Sequence, residues 1–330
     1  MNWSAFIRFG CTALAALCAS GAGAGNLPHV AIVAAASNTA NANTNTRFTD
    51  VRDKLMATGR FSAVDIFNAT RFGPGTPTPA EFAAWDAVIV WSNDSFDDSV
   101  AMGNALADYV DGGGGVVVAL FANTSSNTAR QLLGRWQDGD YVAIPRNLAV
   151  GTLGYVQGAG ELGAILIPDH PLLDGVNSFI TRWGVNSSGI FGGYRPLEMS
   201  VTPGSVKVAL WDTGHTLIAL PPNPRVVELG FHPVSSDVVA SAYWDAATDG
   251  DVLLANALTY VARSPLPRGD YNCDGQLTNF DIDPFVLALT DAAAYATAYP
   301  GCDLAAVDAD GDGVLTNFDI DPFVSLLIGE

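Results

Sequence analysis

Basic residues are scarce in this chain, and the shortage argues against two classes of partner. Its 330 residues include 15 Lys and Arg against 34 Asp and Glu, and Lys54 and Lys207 are the only lysines. A net charge of −19 repels polyanions, which argues against nucleic acid and anionic membranes as partners. Beyond the first 25 residues no apolar run is long enough to predict a membrane span.

Cysteine is also scarce, and its distribution limits the chemistry. Only four cysteines occur, and none lies between residues 26 and 272. The central part of the chain therefore cannot supply a thiolate nucleophile. Cys11 and Cys18 belong to the N-terminal segment, whereas Cys273 and Cys302 lie near the C-terminus. In an oxidising compartment the last two are expected to form a disulfide, with two free thiols as the alternative.

The first 25 residues have the pattern of an export signal. Arg8 supplies the positive charge, an apolar stretch runs from Cys11 to Ala19, and small residues at 22–24 precede the expected cleavage site. The apolar stretch is too short to cross a membrane. We therefore expect a mature protein that is secreted, extracellular or held in the cell envelope.

One motif occurs twice near the C-terminus. Its copies begin at Asp270 and Asp308, 38 residues apart, and each continues into Ile-Asp-Pro-Phe-Val. Both place oxygen-bearing residues, and a glycine at position 6 (Gly275 and Gly313), at the spacing of an EF-hand calcium loop. The predicted ligands of the first copy are the side chains of Asp270, Asn272, Asp274 and Asp281 with the backbone carbonyl of Gln276. Those of the second are the side chains of Asp308, Asp310, Asp312 and Asp319 with the backbone carbonyl of Val314.

The charge of this segment supports a metal site. Residues 269–330 contain twelve Asp and Glu and no Lys or Arg. Two calcium ions would offset four of these charges, so we expect calcium binding to be coupled to folding. A solvated acidic tail is the alternative, but random acidity does not place Asp, Asn and Gly at EF-hand offsets twice.

Paired loops with Asp rather than Glu at position 12, here Asp281 and Asp319, resemble dockerin domains. The resemblance covers about 268–330 and includes the repeat Asn-Phe-Asp-Ile-Asp-Pro-Phe-Val. It implies a small all-α module that binds two calcium ions and docks onto a cohesin-like domain of another protein. Dockerins are best known on secreted enzymes that degrade polysaccharides.

Two features of the repeats leave the docking mode open. Phe280 and Phe318 stand at position 11, where dockerins usually present small polar residues to cohesin. Each is either a docking anchor or part of the packing between two helices. The prolines that follow, Pro284 and Pro322, fit the first turn of a helix. They predict helices that begin later than usual, capped by Asp283 and Asp321.

The predicted organisation is a signal peptide at 1–25, an α/β domain at 26–263, a linker at 264–268 and the calcium module at 269–330. Short apolar strands alternate with amphipathic helices in the α/β domain, which predicts a mostly parallel sheet with helices on both faces. Residues 135–200 suggest long loops. Predicted strands are 29–35, 61–67, 86–91 and 116–121, then antiparallel neighbours at 206–211, 216–220 and 225–231, with helices around 48–56, 102–110 and 251–261.

Three segments of this domain, at 107–118, 169–175 and 229–233, resemble class I glutamine amidotransferase-like proteins, more closely their ThuA-like branch. The resemblance covers about 27–262 and implies a flavodoxin-like fold. Its third segment, Leu-Gly-Phe-His-Pro, matches the strand end that bears the triad histidine, here His232. No cysteine follows the matching strand, and Val234 replaces the expected Glu. Glutamine hydrolysis is therefore excluded.

Polar residues follow several of the predicted parallel strands, and ligands of such sheets gather at the carboxyl ends. Asp94 and His232 are candidates for an acid/base pair, and Thr124 or Ser125 for a weak nucleophile. Small-ligand binding and ordinary turn formation are the alternatives. The residues expected at this mouth are Ser37, Asn38, Ser92, Asn93, Asp94, Asn123, Thr124 and His232.

Other histidines and the tryptophans have two interpretations each. His170 and His215 are expected at the surface or in hydrogen bonds rather than as metal ligands. Six tryptophans could stack on sugars, although core packing is the more common role of such residues. They are Trp85, Trp91, Trp136, Trp183, Trp211 and Trp244.

The sequence thus predicts an exported, non-catalytic α/β domain tethered to an extracellular or envelope assembly, with two calcium ions as cofactors. The link to polysaccharide breakdown comes from the resemblance alone. Carbohydrate is a second candidate ligand. One alternative is a secreted hydrolase or sugar-processing enzyme acting through Asp94, Thr124 and His232. Another is an envelope protein whose calcium loops pack on the body and recruit no partner.

Overall fold

The computed structural model describes residues 27–146, 153–187, 189–262, 268–272, 277–299, 309–310 and 315–329. The predicted signal peptide, most of the linker, the cysteine pair and five of the predicted calcium ligands (Asp274, Gln276, Asp308, Asp312 and Val314) lie outside these residues.

The strands are β1 (His29–Ala35), β2 (Ala63–Asn68), β3 (Ala87–Ser92), β4 (Gly115–Val118), β5 (Tyr155–Val156), β6 (Gly160–Ile165), β7 (Ile180–Asn186), β8 (Gly189–Gly192), β9 (Arg195–Pro196), β10 (Val206–Trp211), β11 (Thr216–Leu220), β12 (Val226–Leu229) and β13 (Tyr243–Trp244). The helices are α1 (Thr46–Ala57), α2 (Pro79–Ala83), α3 (Ser99–Asp111), α4 (Arg135–Asp138), α5 (Gly250–Val261), α6 (Ile282–Thr290), α7 (Ala292–Ala298) and α8 (Ile320–Ile328).

Eleven of the described strands form one mixed sheet. Its parallel half has the order β2-β1-β3-β4-β12, and the strand direction changes where β12 pairs antiparallel with β11. The order β2-β1-β3-β4 is that of flavodoxin-like sheets. The predicted α/β class is therefore confirmed.

The antiparallel half of the sheet is larger than the sequence indicates. Strands β6, β7 and β8 lie within residues 135–200, where the sequence suggests long loops, and they extend the sheet outward from β10. They are only partly buried, and they lack the regular alternation of apolar and polar residues that identifies a strand. The sheet is consequently mixed rather than mostly parallel.

Hydrophobic cores cover both faces of the parallel half. Along β1, Val30 and Ile32 face one core while Ala31 and Val33 face the other, because successive side chains of a strand point to opposite faces. Helices α1 and α5 pack in the first core, and α2 and α3 pack in the second. Each large apolar side chain buried in this way contributes about 1.5–3 kcal/mol.

Helices α6 and α8 are equivalent parts of the two C-terminal repeats. They begin at Ile282 and Ile320, so the caps predicted at Asp283 and Asp321 are wrong. A 3-10 turn at Asn279–Asp281 precedes α6, so the helical conformation begins before the predicted cap. Thr278 starts this turn by forming a capping box with the carboxylate of Asp281. The equivalent turn at Thr316 has the same capping box.

No helix among the described residues combines the length and the apolar character that crossing a membrane requires.

Candidate functional site

His232 lies just beyond the carboxyl end of β12 and is only 3% exposed. Its Nδ1 is 3.2 Å from the carbonyl oxygen of Leu120, which can only accept, so Nδ1 carries the proton. Its Nε2 is an acceptor with no hydrogen-bond partner among the described residues. Burial lowers the pKa of His232 from 6.5 to about 3, so the ring is neutral at pH 7.

Aromatic rings surround this histidine. The ring centroids of Phe121, Tyr194 and Tyr243 lie 5.7, 6.3 and 5.0 Å from that of His232. Tyr155 packs edge-on against Phe121 at 4.7 Å and against Tyr194 at 5.5 Å. Burial also raises the pKa of the Tyr155 hydroxyl. The group formed by His232, Phe121, Tyr155, Tyr194 and Tyr243 is called the aromatic cluster below.

Tyr243 has an unusual backbone within this cluster. Its φ of +66° lies in the left-handed region, which bulky side chains rarely adopt. Arg47 donates a hydrogen bond from Nη1 to the Tyr243 hydroxyl oxygen at 2.5 Å, and the guanidinium also lies 5.8 Å from the ring centroid. These contacts fix the tyrosine ring beside His232 despite the backbone conformation.

None of the described hydrogen bonds or ion pairs joins the predicted catalytic residues to His232. The Asp94 carboxylate accepts the Ser95 N–H at 2.8 Å, and none of the described hydrogen bonds or ion pairs joins it to His232. The buried Thr124 hydroxyl donates to the carbonyl oxygen of Gly154 at 2.8 Å, and the Ser125 hydroxyl accepts the Asn127 N–H. A general base must reach the proton that it removes. The described contact of Asp94 is local to its turn, whereas that of Thr124 joins the loop after β4 to the segment before β5.

Other residues expected at this mouth serve mainly to hold the strand ends. The buried Ser92 donates to the Arg130 carbonyl oxygen at 2.7 Å, and the Asn123 amide donates to the Leu229 carbonyl oxygen at 3.3 Å. Asn93 donates its backbone N–H to the carbonyl oxygen of Ala35. Two of these bonds join neighbouring strand ends, and the Ser92 bond joins β3 to the turn at residues 128–130. They leave the aromatic cluster as the main chemical feature of the mouth.

The remaining sequence candidates have structural contacts of their own. His170 accepts the backbone N–H of Leu172, and His215 contacts the hydroxyl of Thr213 at 3.0 Å. Five of the six tryptophans are buried in the cores, whereas Trp183 is exposed. Core packing is thus the role of Trp85, Trp91, Trp136, Trp211 and Trp244.

Sequence reasoning missed two polar features. Tyr155, Tyr194 and Tyr243 gave no signal, because nothing in their local sequence shows that distant loops bring them to His232. Glu228 is completely buried on β12, and its carboxylate accepts the Ile144 N–H at 2.5 Å. Burial raises the pKa of Glu228 from 4.5 to about 8. A charged residue within the apolar strand Val-Val-Glu-Leu was the available signal.

In the C-terminal repeats, the position-12 carboxylates of Asp281 and Asp319 have matching environments. Both are completely buried. One oxygen of Asp281 accepts the Asn272 N–H at 3.0 Å, and the other accepts the Thr278 N–H at 2.8 Å. Asp319 makes the same two bonds, with Asp310 at 3.1 Å and Thr316 at 2.7 Å. The two repeats therefore close their loops in the same way.

The donor set of the loops fits a hard cation. The predicted side-chain ligands are carboxylate and amide oxygens, which suit calcium and do not suit soft metals. Within the described part of the chain, no group of three or more His, Cys, Asp or Glu is placed to hold a metal ion. Half of the predicted ligands lie outside that part, so calcium binding stays a prediction.

The phenylalanines at position 11 point to solvent. Phe280 is 74% exposed and Phe318 is 75% exposed, which excludes their packing between the helices. The following phenylalanines fill that space instead, because Phe285 and Phe323 are buried with ring centroids 4.4 Å apart.

No family model matches the chain, and no curated protein matches it. Similar solved structures include a cytoplasmic protein from Salmonella typhimurium, with 10% identity and a TM-score of 0.43 over 71% of this chain and 99% of that one. Two ThuA-like proteins are also similar. The one from Parabacteroides merdae has 16% identity and a TM-score of 0.40, over 71% of this chain and 89% of that one. The one from Bacteroides uniformis has 13% identity and a TM-score of 0.42, over 72% of this chain and 92% of that one. At these values the similarity assigns neither a family nor a function to this chain.

Proposed function

We propose that this protein is an exported ThuA-like α/β domain held in an extracellular or envelope assembly by a C-terminal calcium-dependent docking module. The matched environments of Asp281 and Asp319 carry the proposal. A tail that was merely acidic would have no reason to bury the same carboxylate, with the same two hydrogen bonds, in both repeats.

Electrostatics favours a cation in these loops. Buried carboxylates need compensating positive charge, and residues 269–330 contain no Lys or Arg that could supply it. Asp270, at position 1 of the first loop, is completely buried as well. A calcium ion would supply positive charge to the loops, while the backbone N–H groups on Asp281 and Asp319 hold those carboxylates in place.

Docking is supported by the surface that each repeat presents. Phe280, Ile282 and Val286 are all exposed on the first repeat, and Phe318, Ile320 and Val324 are exposed to nearly the same extents on the second. Two equivalent apolar patches rimmed by acidic residues suit a protein partner, in which an aromatic anchor enters a pocket. A cohesin-like domain is the proposed partner, on the dockerin resemblance.

The body is proposed to be non-catalytic. It has no thiol, and the described contacts do not join Asp94 to His232. The secreted-hydrolase alternative therefore lacks an assembled acid/base pair. A connection to polysaccharide breakdown depends on the resemblance to dockerins and is proposed on that ground only.

Calorimetric titration of the mature chain, residues 26–330, with calcium tests the metal sites. We expect two ions to bind, and Asp281→Asn and Asp319→Asn each to remove one. Asp283→Asn and Asp321→Asn change equivalent carboxylates in the first helical turns and should leave both sites intact. The calcium proposal is wrong if the wild-type chain binds no calcium, or if all four variants bind equally.

Docking is tested separately with the same mature chain as bait. We expect a partner with a cohesin-like domain to bind from secreted or envelope fractions in millimolar calcium and to be released by EDTA. The double variant Phe280→Ala/Phe318→Ala should lose this partner and keep both calcium ions. Calcium binding without any calcium-dependent partner would instead support the structural alternative.

A further inference from the structure

A cavity of about 810 Å³ opens at the edge of the sheet opposite the aromatic cluster. Its walls come from the turn before β2, the segment 165–176 after β6, and the last turns of α5. Helix α5 ends where Val261 packs on Gly115, the first residue of β4, so this is the amino-terminal edge of the parallel strands. Sheets of this class bind ligands at the carboxyl edge, and the fold alone therefore does not predict a site here.

Asn256 holds the walls of this cavity together. Its side chain is only 4% exposed and lies on α5. The amide Nδ2 donates to the carbonyl oxygens of Leu172 and Asp174, at 3.2 and 2.8 Å, and Oδ1 accepts a hydrogen bond from Arg60 Nη1. One buried amide thus connects three chain segments that are far apart in sequence, and the cavity is fixed before any ligand arrives.

Arg60 and His170 are donors in the lining of this cavity. Arg60 forms no ion pair with any of the described carboxylates, although the chain is strongly acidic, and Asn256 engages only one of its guanidinium nitrogens. His170 accepts the Leu172 N–H through Nδ1 at 3.2 Å, so in the neutral ring the proton is on Nε2. Burial lowers the pKa of His170, which favours this neutral form at pH 7.

The lining also contains acceptors and an aromatic face, beside apolar residues such as Ile165, Leu173 and Val176. Asp169 and Asp174 are exposed carboxylates at the rim. The Tyr260 ring is 39% exposed and lies 5.4 Å from the His170 ring, centroid to centroid. Asp169 has a φ of +60°, a conformation that Asp tolerates better than most residues, and it turns the chain directly before His170.

This set of groups selects among ligand classes. A polyanion would be repelled by two rim carboxylates on a protein of net charge −19. An apolar ligand would strip water from Arg60 and the carboxylates without replacing their hydrogen bonds. A sugar hydroxyl can both donate and accept, so carboxylates, a guanidinium and an imidazole N–H can all be satisfied, while an aromatic face covers the C–H surface of the ring.

We propose that the cavity lined by Arg60, His170, Asp169, Asp174 and Tyr260 binds a neutral carbohydrate, a mono- or disaccharide unit. Its volume lies within the range of about 300–1,000 Å³ that is usual for small-molecule sites. Arg60 and His170 donate to ring hydroxyls, the two aspartates accept from them, and Tyr260 packs against the sugar ring. The site belongs to the α/β body and does not depend on the calcium module.

Ligand-observed saturation-transfer NMR on the mature chain tests this assignment. The neutral probes are glucose, galactose, mannose, xylose, cellobiose and maltose, and the anionic probes are glucuronate and inorganic phosphate. We expect saturation transfer to at least one neutral sugar. Arg60→Ala removes charge-assisted hydrogen bonds and should weaken that binding about tenfold or more, as expected for a contact of about 1.5–3 kcal/mol. Tyr260→Ala should weaken it as well, and Tyr260→Phe should not.

Arg52→Ala is the matched control, since Arg52 is a surface residue of α1 whose side chain pairs with its neighbour Asp53. It should bind sugar like the wild-type chain. Tyr260 is exposed, so its substitution tests the site even if Arg60→Ala fails to fold. The proposal is overturned if no neutral sugar shows saturation transfer, if only glucuronate or phosphate does, or if Tyr260→Ala and Arg60→Ala bind as the wild type does.

Discussion

Phe285 and Phe323, which occupy the same position in the two C-terminal repeats, pack against each other with ring centroids 4.4 Å apart. Tyr271 completes the contact, at 4.7 Å from Phe285 and 5.3 Å from Phe323. Both repeats therefore contribute a phenylalanine to one small core. This explains why the two loops would fold together.

Phe285→Ala should destabilise both repeats at once. Removing a buried phenylalanine costs about 3–5 kcal/mol, and here the lost contact is shared by α6 and α8. We expect faster amide hydrogen exchange in peptides from both 277–299 and 315–329, measured in calcium. Phe280→Ala, at an exposed position, should leave exchange in both helices unchanged. Faster exchange confined to the first repeat would show that the two repeats fold independently.

The body can be checked in the same samples by tryptophan fluorescence. No tryptophan follows Trp244, so the fluorescence reports on the α/β domain alone. We expect its unfolding midpoint in urea to be the same in Phe285→Ala and the wild-type chain. A lowered midpoint would mean that the module stabilises the body, as the envelope-protein alternative requires.

Glu228 makes the stability of the body fall as pH rises. Burial raises its pKa from 4.5 to about 8, so between these values the folded state binds more protons than the unfolded state. The free energy of unfolding should therefore decrease with pH across this window, by up to about 1.4 kcal/mol per pH unit from this one group. Glu228→Gln should remove that slope, measured by urea unfolding between pH 5 and pH 8.

Glu161→Gln is the matched control, because Glu161 is an exposed glutamate on β6. Its pH profile should parallel that of the wild-type chain. Parallel profiles for Glu228→Gln and the wild type would show that the buried carboxyl does not hold its proton in the folded state.

These residues also show what the sequence could and could not predict. The apolar run of β1 identifies a buried strand, and the spacing of Phe48, Val51 and Leu55 identifies helix α1. Both can be predicted because buried residues recur at the period of the element that carries them. Asn256 carries no such signal, since its partner Leu172 lies 84 residues away. Its role depends on the tertiary contact itself, which no local pattern encodes.

The candidate sites also differ in how far the local sequence predicts them. The calcium loops were predicted because ligand spacing is a local property, and the structure bears on only half of their ligands. His232 was singled out by its sequence context, whereas Tyr155 and Tyr194 beside it were not. A site assembled from separate loops is visible only after the chain has folded.

His232 should give stability the opposite dependence on pH from Glu228. Burial lowers its pKa from 6.5 to about 3, so between these values the folded state binds fewer protons than the unfolded state. The free energy of unfolding should rise with pH across this window and fall on acidification. His232→Phe keeps a ring inside the aromatic cluster and removes the titration. We expect the free energy of unfolding of His232→Phe to rise relative to that of the wild-type chain as the pH falls from 6.5 towards 3. A difference in free energy that stays constant with pH would contradict this account.

Two glycines around α3 should respond differently to alanine. Gly103 faces the backbone of Leu133, whose N–H donates to the Ser99 carbonyl oxygen at 3.1 Å, and an added methyl group would overlap the Leu133 carbonyl oxygen. Gly112, at the end of the same helix, has a φ of −79°, and its new methyl group would lie 3.4 Å from the nearest atom. Gly103→Ala should therefore cost about 1–3 kcal/mol through overpacking, whereas Gly112→Ala should change stability by less than about 0.5 kcal/mol. Urea unfolding followed by tryptophan fluorescence measures both. Equal losses would mean that the close approach of residues 131–134 to α3 does not require glycine.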